Sequence, residues 1–98
     1  MSRELVDNVE LRLECFGRAA TGLCGDKSEQ MDTMKGILNH IVQDAEKISA
    51  EGDDEIARSV LNRAFDVTLQ SDKFQSLRLP IIAVGAELGF GAPVIKTW

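Results

Sequence analysis

Three side chains in this sequence are suited to nucleophilic or metal-binding chemistry: Cys15, Cys24 and His40. A cysteine hydrolase needs a thiol next to a histidine, with a third group that orients the imidazole ring. Asp44 lies one helical turn after the only histidine and has the right chemistry for that third role. Neither cysteine has the sequence context of a nucleophile, however. We therefore expect His40 to be a partly exposed helix residue and the protein not to be an enzyme.

The same side chains are too few for a metal centre. Structural zinc sites typically use four ligands in closely spaced pairs, whereas the chain has two cysteines and one histidine, widely separated. Carboxylates cluster within residues 26–32 and 53–55, where helix capping and the helix dipole account for them. We expect no catalytic residues, no metal and no cofactor.

Glycines at positions 85, 89 and 91 have the spacing of a phosphate-binding loop but not its context. Such a loop follows a strand and leads into a helix, whereas here Pro93 comes soon after Gly91. Gly85 and Gly89 lie one helical turn apart, a spacing that lets a second helix approach closely. The glycines therefore predict a packing element.

The net charge and the first residues of the chain limit which partners and which location we expect. The formal net charge is −5 and no segment is basic, so we expect neither nucleic acid nor an anionic membrane as a partner. The opening residues lack a cationic stretch followed by an apolar core, so we expect no signal peptide. Cys15 and Cys24 on one helix would lie about 13 Å apart along its axis, too far for a disulfide. A cytoplasmic location fits these features.

Apolar residues repeat with helical spacing in three long segments. The first runs from residue 2 to about 24 and ends at Gly25, and the second opens within residues 26–28 and ends at Gly52. The third begins at Asp53 or Asp54, and Ser71 is a further cap. The three stripes should converge on one core: Leu13, Phe16, Ala20, Ile37, Leu38, Ile41, Ala45, Val60, Leu61 and Ala64.

Two details of these helices carry further expectations. Leu11 and Cys15 lie off the main stripe and predict a second buried face on the first helix. Gly36 lies inside the second helix, where glycine costs about 1 kcal/mol relative to alanine. Its presence predicts that another helix packs closely there.

Residues 80–98 are unusually apolar, with only Glu87 and Lys96 charged. The stretch is shorter than the roughly 20 residues needed to span a bilayer. Pro80 suits the first position of a helix, so we predict a short helix over residues 80–88 that ends at Gly89. A buried strand is the alternative, because residues 81–84 include three β-branched side chains.

Together these patterns predict an all-α fold: a small helical bundle of three main helices plus a short apolar C-terminal helix and tail. We expect residues 1–98 to form a single helical domain, in which residues 1–79 are the three-helix core and residues 80–98 are an apolar packing or interface tail.

The expected function is that of a non-enzymatic cytoplasmic protein–protein interaction module, homodimeric through the tail and adjoining helix faces. The expected interface residues are Leu77, Ile81, Ile82, Val84, Gly85, Leu88, Phe90, Val94, Ile95 and Trp98. One alternative is a small-molecule binding protein with an apolar pocket between the helices and the tail, lined by Leu77, Ile81, Val84, Phe90 and Trp98. Another is an acidic inhibitor or adaptor that docks its second segment onto a basic partner.

Overall fold

The computed structural model describes residues 3–21 and 27–90, except for the side chains of residues 27 and 28. Its elements are α1 (Arg3–Ala20), α2 (Lys27–Ala50), α3 (Asp54–Thr68), a 3₁₀ helix (Asp72–Phe74) and α4 (Gln75–Glu87). No strand occurs among the described residues, so the all-α class is confirmed. The helical reading of residues 80–88 is correct, and the strand alternative is wrong.

The apolar stripes of the helices meet in one cluster of buried side chains. Helix α2 packs against α1 and α3, α1 also contacts α3, and α4 lies against α3 and α2. Of the ten predicted core residues, eight are buried, while Ala20 and Ile37 pack against the cluster from its edge. Further fully buried side chains are Val9, Met34, Ile48, Phe74, Leu77 and Ile81.

Two polar contacts between helices lie beneath the surface. Asp44 on α2 is buried and accepts a hydrogen bond from Arg12 on α1, which places an ion pair between these helices. Gln30 is also buried, and its Nε2 donates to the carbonyl of Ala19 at 2.8 Å, at the end of α1. The Oε1 of Gln30 accepts from Lys73 Nζ at 3.0 Å. Buried polar groups need such partners, because an unpaired group keeps its full desolvation cost.

Glycine ends both α2 and α4, as predicted. Gly52 and Gly89 have φ values of 95° and 83°, in the left-handed region. After α4, the Phe90 amide donates to the Gly85 carbonyl and the Gly89 amide donates to the Ala86 carbonyl. This paired pattern is a Schellman motif, which satisfies carbonyls that the helix end leaves without donors.

The N-terminal caps follow the prediction in part. Asp53 precedes α3 in the N-cap position, but its side chain makes no cap hydrogen bond. Ser71 caps the 3₁₀ helix, because its hydroxyl accepts from the Lys73 amide at 3.4 Å. Helix α1 ends at Ala20, about four residues before the end predicted from the sequence. Gly25 and the predicted cap of α2 at residue 26 lie outside the described residues.

Two expectations about α1 and α2 are wrong. Leu11 is 61% exposed and Cys15 is also exposed, so α1 has no second buried face there. Gly36 is exposed, and a Cβ atom built on it would meet no heavy atom within 4 Å. No helix in the described part of the chain packs closely against that position.

The fourth helix begins at Gln75 instead of Pro80, so Pro80 lies inside α4. The 3₁₀ helix leads directly into α4, and Phe74 and Leu77 are buried, which holds the first turns against the core. Proline at this position removes the donor for the Ser76 carbonyl. Ser76 and Pro80 are both exposed, so water can hydrogen-bond that carbonyl. Core burial thus outweighs the local preference of proline.

Replacing Gly36 with alanine should stabilise the protein. The new methyl group meets no neighbour, and alanine loses less backbone entropy in a helix, so the free energy of unfolding should rise by up to about 1 kcal/mol. Urea denaturation monitored by circular dichroism measures this change. Gly52→Ala is the matched control, because an L-residue at φ 95° is strained and should lower stability by about 1 kcal/mol. A loss of stability in Gly36→Ala would contradict the open surroundings of Gly36.

Candidate functional site

Cys15 and His40, the described side chains with reactive chemistry, lie on two different helices. Cys15 lies exposed on α1 and His40 lies exposed on α2. Asp44, the candidate to orient the histidine ring, is buried and forms an ion pair with Arg12 instead. Cys24 lies outside the described residues. Within residues 3–21 and 27–90, no group of three or more cysteine, histidine or acidic side chains could hold a metal ion.

Helix α4 carries apolar residues on two opposite faces. Leu77, Ile81 and Val84 are buried in the core at spacings of four and three residues. On the other side of the helix, Leu79 is 67% exposed and Ile82 is 36% exposed. A surface helix normally has one apolar and one polar face. Helix α4 therefore buries one apolar face and leaves a second one in water.

The exposed face also has the spacing of a helical stripe. Leu79, Ile82, Ala83 and Ala86 are all exposed and follow one another at positions i, i+3, i+4 and i+7. We call these four residues the outer face of α4. No charged residue occurs from position 79 to position 86.

A groove between α3 and α4 extends this apolar surface. It has a volume of about 310 Å³ and is lined by Phe65, Leu69, Gln75, Arg78, Leu79 and Ile82. Leu69, at the end of α3, is 47% exposed. The outer face and the groove thus form one apolar surface with contributions from two helices. Contiguous exposed apolar surface of this kind is typical of interaction sites.

The residues predicted for the interface divide into three groups. Leu77, Ile81, Val84, Gly85 and Phe90 are buried within this chain, and Leu88 is partly buried. Ile82 is exposed on the outer face. Val94, Ile95 and Trp98 lie outside the described residues.

Sequence reasoning missed Leu79, Ala83 and Ala86 as surface residues. The signal was available in the helical period, since these positions lie opposite Leu77 and Ile81 on one helix. Starting the helix at Pro80 left Leu79 outside the pattern and hid the stripe.

Arg78 fixes the start of α4 to the end of α3. Its Nη2 donates to the Thr68 carbonyl at 2.7 Å, and its Nε donates to the Thr68 hydroxyl at 3.2 Å. Helix α3 has no basic residue in its own last turn, so the guanidinium of the next helix supplies the positive charge that its C-terminal end favours. Thr68 is fully buried. The bond therefore joins the two helices at a defined position.

Phe90 fixes the other end of α4. The ring is buried, and the Arg58 guanidinium on α3 lies 5.0 Å from its centroid, within the range of a cation–π interaction. The Phe90 amide also closes the Schellman motif with the Gly85 carbonyl at 2.8 Å. Arg78 and Phe90 thus hold the two ends of α4 in place. The outer face of α4 therefore has a fixed orientation.

Replacing Arg78 with methionine should lower the free energy of unfolding by about 2 kcal/mol. Methionine keeps an apolar stem but removes two charge-assisted hydrogen bonds to Thr68. Arg63→Met is the control, because Arg63 forms an exposed ion pair with Glu10 that should contribute less than about 1 kcal/mol. Thermal and urea denaturation of both variants measure the difference. Equal effects of the two substitutions would contradict the capping role of Arg78.

Among the described residues, no helix is both long enough and apolar enough to cross a membrane. Comparisons of the chain with protein-family models, with curated proteins and with solved structures give no match. The apolar surface of α4 is the feature of this structure that bears on function.

Proposed function

We propose that this chain is a non-enzymatic protein–protein interaction module that forms a homodimer through its C-terminal region. The observation that carries the proposal is the second apolar face of α4. Leu79 and Ile82 keep 67% and 36% of their surface exposed in the monomer, yet they lie on a helix that is anchored at both ends. Burying apolar surface yields about 25 cal/mol per Å², so covering this face would favour association.

The size of the surface indicates which other residues take part. Specific interfaces typically bury about 800 Å² on each partner. A helix the length of α4 extends about 20 Å, so one helical face falls short of that area. Leu69 and the α3–α4 groove adjoin the outer face and would contribute. We include residues 91–98 with Val94, Ile95 and Trp98, because this apolar segment directly follows Phe90.

A small apolar ligand is the second candidate, and the groove between α3 and α4 is the observation that favours it. Its volume of about 310 Å³ is at the lower end of the range for ligand pockets. The pocket residues expected from the sequence were different, and Ile81 and Phe90 among them are packed in the core. A ligand here would contact Leu69, Leu79 and Ile82 instead.

Docking of the acidic second segment onto a basic partner would depend on salt differently from association through the outer face. Attraction between exposed charges is screened as ionic strength rises. Association through the uncharged outer face should persist at high salt. Measuring the molecular mass at low and high salt separates these two modes.

Replacing Leu79 with lysine should weaken self-association without unfolding the chain. Leu79 is largely exposed in the monomer, whereas a lysine in the dimer would bury a charge, so the dissociation constant should rise at least about tenfold. Sedimentation velocity over a wide concentration range measures the constant, and circular dichroism checks helix content. Leu11→Lys is the matched control: it changes another exposed leucine, on α1, and should leave self-association unchanged.

A wild-type protein that stays monomeric at all concentrations would reject the homodimer. Saturable binding of apolar dyes to that monomer, lost in Leu79→Lys, would then favour the small-molecule candidate. Truncation after residue 79 is not an informative variant, since it removes Ile81, Val84 and Phe90 from the core.

A further inference from the structure

We infer that the outer face of α4 is self-complementary and pairs with the same face of a second copy, antiparallel, with residues 82 and 83 at the two-fold axis. This inference rests on the proposed function and specifies the surface through which the two copies meet. Its basis is the order of large and small residues along the outer face. That order reads Leu79, Ile82, Ala83, Ala86 from the start of α4 to its end.

The order places large side chains opposite small ones. In an isologous contact, residue i of one copy meets residue j of the other, and j meets i. With the axis between positions 82 and 83, positions 79 and 86 are equally distant from it. Leu79 of each copy then lies over Ala86 of the partner subunit. One leucine and one alanine therefore form a layer on each side of the axis.

At the axis itself, the Ile82 side chains of the two copies meet each other on one edge of the contact. The two Ala83 side chains meet on the opposite edge. Both positions lie within about 1 Å of the axis along the helix, because the rise is 1.5 Å per residue. The small side chain of Ala83 allows the two helices to approach closely on its edge. Ile82 fills the space on the other edge with a larger side chain. The stripe thus complements itself without any change of conformation.

The charges at the ends of α4 favour the antiparallel orientation over the parallel one. Arg78 immediately precedes the outer face and Glu87 immediately follows it, and no charge lies between them. Antiparallel pairing brings the Arg78 end of one helix level with the Glu87 end of the other along the helix axis, with the two side chains on opposite edges of the contact. It also sets the two helix dipoles head to tail. Parallel pairing would place like charges and like dipole ends together.

Disulfide trapping in the full chain tests the pairing. Cys15 is exposed, so Cys15→Ser and Cys24→Ser together form the background for single cysteines on α4. Ala83→Cys should form a disulfide-linked dimer under mild oxidation, because the two Cα atoms come within the roughly 7 Å that a disulfide requires. Leu79→Cys and Ala86→Cys alone should not, since each lies about 10 Å along the axis from its own counterpart. A mixture of these last two variants should cross-link.

The outcomes separate this inference from the proposed function. Cross-linking at position 83 and in the 79–86 mixture, with loss of the position-83 disulfide when Leu79→Lys is added, supports the pairing. A dimer that cross-links at positions 79 and 86 individually is parallel, and it overturns the inference while the homodimer stands. A dimer that traps no cysteine on α4 uses another surface and also overturns it.

A monomer overturns both the pairing and the homodimer. The sole tryptophan, Trp98, then reports on a different occupant of the face, the segment of residues 91–98 from the same chain. If this segment covers the outer face, Leu79→Lys should shift the Trp98 emission to longer wavelength at unchanged mass. That result would assign the face to intramolecular packing.

Discussion

Burial of Leu77 and Ile81 against the α1–α3 core determines the orientation of α4, and much else in the molecule follows from it. A helix can turn only one side toward a core, so burying these residues sends Leu79 and Ile82 outward. The same burial draws the helix start back to Gln75 and leaves Pro80 within it. It also brings Arg78 to the end of α3 and Phe90 beneath Arg58.

The sequence predicted the helical class because helical periodicity and glycine stops are local signals. The stripes of α1 to α3 identified most of the core, and Gly52 and Gly89 were correctly read as helix ends. The start of α4 was missed, since the rule for Pro80 is also local and competes with burial of Phe74 and Leu77. The strength of such burial depends on residues distant in sequence, which periodicity alone does not supply.

The polar contacts between helices could not have been predicted by the same reasoning. Asp44 and Arg12 are 32 positions apart, and Gln30 and Lys73 are 43 apart. Predicting these pairs requires knowing how each helix is rotated about its axis. The same apolar stripes are compatible with several such rotations. The candidate site was predicted in part for a related reason. The apolar character of the C-terminal region was visible in the composition, but the division between core and solvent depended on how α4 rotates about its axis.

The hydrogen bonds from Arg78 to the end of α3 also determine how α4 can detach from the core. Because a residue of α4 supplies the cap of α3, detaching α4 also leaves the last turn of α3 without its cation. The end of α3, the 3₁₀ helix and α4 should therefore open as one cooperative unit. Exchange of α4 between two copies must first open this unit in both copies, before the same contacts re-form with the partner. Two intact monomers that meet face to face avoid that cost, so the anchoring of α4 favours docking over domain swapping.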